Sequence, residues 1–239
     1  MQQDDRAAAF REMHRTRPIL VLPNAWDVAS AKRFAALPGC RALATTSAAI
    51  ARSLGYADGE QTPVAEMIEV ARRIAAAVDL PVTADLERGY GDWVATARAA
   101  WDAGIVGMNF EDSTKGALVP VEEQVAAIRE IKAAVPSLVL NARVDVFLLG
   151  GDDVDEAVRR ANAYLEAGAD CTYPYSESVT PVAELARRID GPINVVLEDG
   201  MPHPRELEPL GVARVTWGAR LAAYAYDEAE RIAADGLRD

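Results

Sequence analysis

The stretch Ala103-Gly104-Ile105-Val106-Gly107-Met108-Asn109-Phe110-Glu111-Asp112 decides the fold. A glycine directly after an amphipathic run marks a helix end, because the left-handed position there suits a residue without Cβ. The apolar residues that follow run on without alternation. That is the mark of a parallel strand covered on both faces. The stretch then closes on two carboxylates, where a βα loop should begin.

The same unit recurs on both sides of it. Strands are expected over Ile19–Asn24, Ala42–Thr46, Pro81–Leu86, Gly107–Asp112, Leu138–Asp145, Asp170–Tyr175, Ile193–Leu197 and Ala213–Gly218. Helices are expected over Asp27–Leu37, Val64–Val78, Trp93–Ala103, Glu122–Ala134, Val154–Ala167, Pro181–Ile189, Pro204–Leu210 and Arg220–Ala234. Ala167-Gly168 and Leu210-Gly211 repeat the stop signal, and Pro81, Pro136 and Pro192 stand at or before strand starts. Asp27, Asp153 and Thr180 are placed to cap helices. Eight βα units in 239 residues, with no linker or low-complexity segment, predict one (β/α)8 TIM barrel spanning 1–239 as a single domain. The absence of G-x-G-x-x-G after the first strand removes the usual dinucleotide signature.

The net charge is -12, which argues against nucleic acid or an anionic membrane as partner, since both require a basic face. No apolar run reaches the roughly 20 residues that cross a bilayer. Met1-Gln2-Gln3-Asp4-Asp5-Arg6 is charged and leads into no apolar segment, so no secretory signal is expected. Cys40 and Cys171 fit no metal or redox spacing. A reduced, cytoplasmic setting is the expectation.

Barrel chemistry sits at the C-terminal ends of strands, and in this chain those ends are acidic. Asp85 and Glu87 close the third strand, Glu111 and Asp112 the fourth, Arg143 and Asp145 the fifth. Asp58 follows the second strand, and Glu198 and Asp199 the seventh. Carboxylates converging on one mouth repel unless a cation sits among them. The two histidines, His14 and His203, fall outside the cluster. An all-oxygen site suits Mg2+, or Mn2+, rather than Zn2+. Asp85 is the expected direct ligand, with Asp58, Glu87 and Glu111 holding metal-bound waters.

Arg143 lies in the otherwise apolar run Leu140-Asn141-Ala142-Arg143-Val144-Asp145. A charge there is costly without a partner. It reads either as a clamp for a substrate carboxylate or phosphonate, or as a structural ion pair with Glu111 or Asp145. The loop after the second strand, Thr45 to Tyr56, is rich in small and hydroxylic residues that let backbone N–H groups approach an oxyanion. Gly89-Tyr90-Gly91 reads as a flexible turn beside the acids.

These residues resemble the isocitrate lyase / phosphoenolpyruvate mutase superfamily. The resemblance runs from Pro23-Asn24-Ala25-Trp26-Asp27 to the last strand. Its anchors are Thr46-Ser47, Ser53-Leu54-Gly55-Tyr56-Ala57-Asp58-Gly59-Glu60, Ala84-Asp85-Leu86-Glu87-Arg88-Gly89-Tyr90-Gly91, Asn109-Phe110-Glu111-Asp112-Ser113 and Asn141-Ala142-Arg143-Val144-Asp145. It implies a Mg2+-binding barrel acting on small 2-oxo or 2-hydroxy carboxylates or phosphonates. It assigns Asp85, Asp58, Glu87 and Glu111 to the metal, Arg143 to substrate, and Thr46, Ser47 and Ala48 to an oxyanion cradle. It also implies a homodimer or homotetramer.

The gating loop departs from the pattern. Ser113-Thr114-Lys115-Gly116-Ala117-Leu118 has neither the Cys nor the His of the lyases' Lys-Cys-Gly-His motif, and the mutases' longer loop is missing. Tyr90, Lys115 or an ordered water remain as proton donors. The leading expectation is a Mg2+-dependent lyase that breaks a C–C bond through an enolate-like oxyanion, with Arg143, Glu111, Tyr90 and Lys115 as catalytic candidates. The alternatives are a C–P bond enzyme and a non-catalytic, carboxylate-binding barrel.

Overall fold

The computed structural model describes residues 2–238. Eight parallel strands close into a barrel. They are β1 (Leu20–Leu22, continued as Asn24–Ala25), β2 (Leu43–Thr45), β3 (Val82–Asp85), β4 (Gly107–Phe110), β5 (Val139–Val144), β6 (Cys171–Pro174), β7 (Asn194–Val196) and β8 (Arg214–Thr216). Pro23, which has no N–H to give, interrupts β1. The two pieces face opposite neighbours. Leu20–Leu22 pairs with β8, and Asn24–Ala25 pairs with β2. A single bridge between Thr172 and Ile193 joins β6 to β7 and completes the circle. The expected TIM barrel is the observed fold.

The helices pack outside. They are α2 (Val28–Ala35), α3 (Ser47–Leu54), α4 (Val64–Ala76), α5 (Trp93–Asp102), α6 (Val121–Ala134), α7 (Val154–Glu166), α8 (Val182–Arg188), α9 (Pro204–Leu207) and α10 (Arg220–Gly236), preceded by α1 (Gln3–Met13). Asp27 and Asp153 cap as expected, accepting the N–H of Ser30 at 2.6 Å and of Glu156 at 2.9 Å. Thr180 does not. Its amide and hydroxyl are both tied to the Ser178 hydroxyl, and α8 starts after Pro181. No helix among the described residues is long and apolar enough to cross a membrane.

Two elements were not anticipated. The first is α1, which plugs the N-terminal mouth of the barrel. Phe10 is fully buried against Leu20, Leu22, Ala42, Ala44, Val106 and Val139. The helix is tied down by Gln3 to the carbonyls of Trp101 and Ile105, and by Arg11 to Asp170 at 2.6 Å. Gly107 has no side chain because there is no room for one: a Cβ would stand 3.0 Å from Phe10 Cε1 and 2.9 Å from the Val139 carbonyl. The second is an antiparallel ribbon in the β4–α6 connection, pairing Ser113–Thr114 with Ala117–Leu118.

Candidate active site

The segment after β2, read from sequence as a loop, is α3. Its N-cap Thr46 and its first residues Ser47 and Ala48 line the barrel mouth. Helix N-termini present free N–H groups and positive potential, and here they meet β3. One oxygen of Asp85 accepts the Ser47 amide at 3.1 Å and the Ser47 hydroxyl at 2.8 Å, and the other accepts the Asn109 amide at 3.2 Å. Ser47 thus serves Asp85 rather than standing open to an oxyanion. Thr46 and Ala48 line the cavity on either side of it.

A cavity of about 350 Å3 opens at this end of the barrel. Asp58, Asp85, Glu87, Glu111 and Arg143 all line it, together with Lys115 at the tip of the ribbon. The expected acids therefore converge. Their crowding shows in their proton affinities. Burial pushes Glu87 up to about 7; the Tyr90 hydroxyl and the Glu60 amide oppose the rise, while Asp85 and Asp58 add to it. Burial raises Glu111 well above the carboxylate range against the pull of Arg143. Burial and the nearby Asp85 raise Asp58.

Arg143 makes the structural ion pair that its sequence position allowed, and with both candidate partners. Its Nε and Nη2 donate to Asp145 at 2.6 and 2.9 Å, and Nη1 contacts Glu111. A guanidinium has five N–H donors, so two remain beyond these three contacts. Its face lies 5.7 Å from the Tyr175 ring centroid. Asp145 is fixed in turn: its amide donates to Asp112 at 2.8 Å, and the buried Asp112 accepts from Tyr164 and Arg160 on α7. Asp112 thus anchors Asp145 and, through it, Arg143.

Tyr90 stands apart from the other candidates. It does not line the cavity; its hydroxyl donates to Glu87 at 2.8 Å from behind. Gly89-Tyr90-Gly91 is a fixed turn. The Tyr90 amide donates to Glu60 at 2.6 Å, the Glu60 amide donates to Glu87 at 2.5 Å, and a Cβ on Gly89 would meet Trp93 Cα at 2.7 Å. Among the described residues, the non-glycine positions with left-handed φ are Glu60, Glu87, Tyr90 and Lys115, all at this site. Such strain is held only where the surroundings over-determine it.

The pattern of the family described as phosphoenolpyruvate phosphomutase matches residues 10–237. The chain belongs to the phosphoenolpyruvate phosphomutase family. It is 32% identical over 204 residues to the 2-methylisocitrate lyase of Bacillus subtilis, a match covering 80% of this chain and 67% of that one. A crystal structure of a protein from Burkholderia cenocepacia J2315 superimposes with a TM-score of 0.92 at 35% identity, covering 98% of this chain and 100% of that one. Phosphonopyruvate hydrolase in complex with oxalate and Mg2+ gives a TM-score of 0.84 at 26% identity, covering 99% and 88%. As a member of the phosphoenolpyruvate phosphomutase family, the chain is an enzyme.

Several cavity residues of this family member were not singled out from its sequence. Asn24, Asn109, Tyr173, Tyr175 and Thr216 line the floor and wall, and Ser113 reaches Asp145 at 2.5 Å. The asparagines carried a signal: a buried amide inside an apolar strand needs partners. The tyrosines carried none, because an aromatic residue in a strand reads as core.

Among the described residues, no three His, Cys, Asp or Glu side chains are drawn together tightly enough to cage an ion directly. Mg2+ rarely uses such a cage; it takes one or two carboxylates and keeps waters. The donors present suit that mode. They are all oxygen, Asp85 keeps one of its roughly four lone-pair sites beyond its three donors, and buried carboxylates with raised proton affinity are relieved by a cation.

Proposed function

We propose that this enzyme is a Mg2+-dependent lyase that breaks a C–C bond in a small 2-oxo or 2-hydroxy carboxylate. One observation carries the reading: a small, polar cavity is lined by oxygen-only acids and by a guanidinium that keeps two donors beyond its contacts with Glu111 and Asp145. Asp85 would hold the ion directly, and Asp58, Glu87 and Glu111 its waters. A bound Mg2+ supplies Lewis acidity to the oxygen on which enolate charge develops.

This chain's own groups do the rest. Arg143 binds and orients the substrate carboxylate, its charge secured by Glu111 and Asp145 despite burial. The amides at Thr46 and Ala48 face developing negative charge, an arrangement that contributes several kcal/mol elsewhere. For a 2-hydroxy acid, the hydroxyl gives its proton to a cavity carboxylate as its carbon becomes a carbonyl, the electron pair of the broken C–C bond becomes the enolate, and the enolate carbon then takes a proton. Lys115 at the ribbon tip stands at the cavity to give it; Tyr90, behind Glu87, does not. An assay panel of 2-oxo and 2-hydroxy acids, with and without Mg2+, tests the reading. It predicts turnover that chelation abolishes, and metal-independent turnover overturns it.

A second reading is C–P bond cleavage. It draws on the ribbon's lack of the Cys and His of the lyase motif and on the likeness to phosphonopyruvate hydrolase. Phosphorus NMR with phosphonopyruvate separates the two, because only this reading predicts release of inorganic phosphate.

A further inference from the structure

Beneath the cavity floor lies a cation without an anion. Arg214, the first residue of β8, is completely buried, beside Leu20 on β1 and Asn194 on β7 in strand register. No carboxylate lies within salt-bridge distance of it among the described residues. Its one hydrogen bond runs from Nη2 to Asn109 Oδ1 at 3.3 Å, and Nε and Nη1 have no partner. Buried arginines are normally paired, because an isolated charge in the interior is costly. Arg214 cannot escape by losing its proton, as a lysine can. Burial works against its charge, which Cys171, Tyr173 and Asp85 support.

The one residue that connects it to the site shows where the compensation comes from. Asn109 Oδ1 accepts from both Arg214 and Asn141, the latter at 2.8 Å. That fixes the amide so that Nδ2 points at Asp85, to which it donates at 3.2 Å. The guanidinium is thus one side chain removed from the carboxylate at the centre of the acid cluster. It adds positive potential there without occupying a lone pair of Asp85.

We infer that Arg214 is a positioning residue whose fixed charge offsets the carboxylate cluster from inside the barrel and moderates its grip on a divalent cation. The inference rests on the metal reading of Asp85. A charge one side chain removed from Asp85, acting through a medium of effective dielectric near 20, is not screened away. Its removal leaves the cluster more negative, so a cation should bind more tightly. A purely structural Arg214 would not move the affinity in that direction.

The test is calorimetric titration of the full-length protein with Mg2+ alone, at about pH 8, where ordinary carboxylates are ionised. Arg214→Met, which keeps most of the volume and loses the charge, is expected to bind Mg2+ roughly three- to tenfold more tightly than wild type. Equal or weaker binding by a folded Arg214→Met overturns the inference while leaving the metal reading intact. Absence of saturable binding in the wild type removes the metal reading, and this inference with it. If Arg214→Met does not fold, Arg214→Gln, neutral and still able to donate to Asn109, is read the same way. Failure of both to fold, even at saturating Mg2+, assigns Arg214 to the fold and overturns the inference.

Discussion

Ser47 gives both its backbone N–H and its hydroxyl to one oxygen of Asp85, at 3.1 and 2.8 Å. The amide belongs to the first turn of α3, so the helix itself faces the carboxylate. Two consequences separate cleanly. Ser47→Ala removes the hydroxyl and leaves the amide. The hydroxyl orients Asp85, and losing such an outer partner of a metal ligand costs about 10–100-fold in metal affinity, so Mg2+ affinity is expected to fall by roughly tenfold, beyond any loss in Tm. Titration calorimetry and thermal unfolding check the pair. A fall in Tm without loss of affinity would show that the hydroxyl serves only the fold.

Arg143 answers to two carboxylates, Glu111 and Asp145. Truncation to Ala leaves both buried and unpaired, and breaking a buried pair this way costs about 3–5 kcal/mol. Arg143→Ala is therefore expected to lose stability as well as activity. Arg143→Lys keeps the charge but not the fork, and it should fold while kcat/KM falls by about a hundredfold or more. If Arg143→Lys retains wild-type kcat/KM, the substrate is not clamped at this residue.

Metal-free stability should depend on pH in a particular window. Glu87 has a folded-state value of about 7 against an ordinary 4.5, so between those values the folded chain binds the extra proton. Stability from this group is fully present below about 4.5 and is lost as pH rises through about 7. His14 acts in the opposite sense. Burial and Arg214 lower it from 6.5 to about 3, so the folded chain gains stability as pH rises through that range. Only the Glu87 effect involves the acid cluster. The gain in Tm on adding Mg2+ is thus expected to grow from about pH 4.5 to 7, because a cation competes with the proton. A gain in Tm that is flat across the window would place the ion away from Glu87.

The bottom of the barrel should be separable from the top. Phe10 on α1 is fully buried among barrel residues, and Phe→Ala in a core costs about 3–5 kcal/mol. Gly107→Ala forces a methyl against Phe10 and the Val139 carbonyl, an overpacking worth about 1–3 kcal/mol. Both variants should lower Tm while leaving kcat and KM of the folded fraction unchanged. A matching loss of kcat would connect the plug to the site.

The barrel was legible because each βα unit announces itself twice, through a helix-stop glycine and an unbroken apolar run such as Ile105 to Phe110. Asp85, Glu87 and Glu111 were legible because each stands at the end of such a run, whereas Asp58 lies in the connection after α3. What the sequence did not disclose is contact between units. Ser47 was read as a loop residue, since Ser and Ala carry weak helix signals, and only the fold brings Asp85 to its amide. α1 went unread because its exposed face is polar and only Ala7 and Phe10 are buried on it. Arg214 lies inside the expected strand Ala213 to Gly218 and carries the signal read at Arg143, a charge in a strand that needs a partner, but it stands at the strand's start, away from the end where barrel chemistry sits.

The proton donor is the remaining choice, and geometry divides the candidates. Tyr90 donates its hydroxyl to Glu87 and does not line the cavity, and burial and Glu87 push its proton affinity upward. A phenol that is both occupied and reluctant to ionise is a poor acid. Tyr90→Phe should therefore act through Glu87, moving the metal-dependent pH profile and leaving kcat within about threefold at saturating Mg2+. Lys115 occupies a left-handed turn at the ribbon tip, with Gly116 beside it, and lines the cavity. Lys115→Met should lower kcat by about 100-fold or more, as expected for loss of a general acid, with KM little changed. The reverse outcome, a collapse of kcat in Tyr90→Phe and near-normal turnover in Lys115→Met, would return the proton to the phenol and require Glu87 to release it.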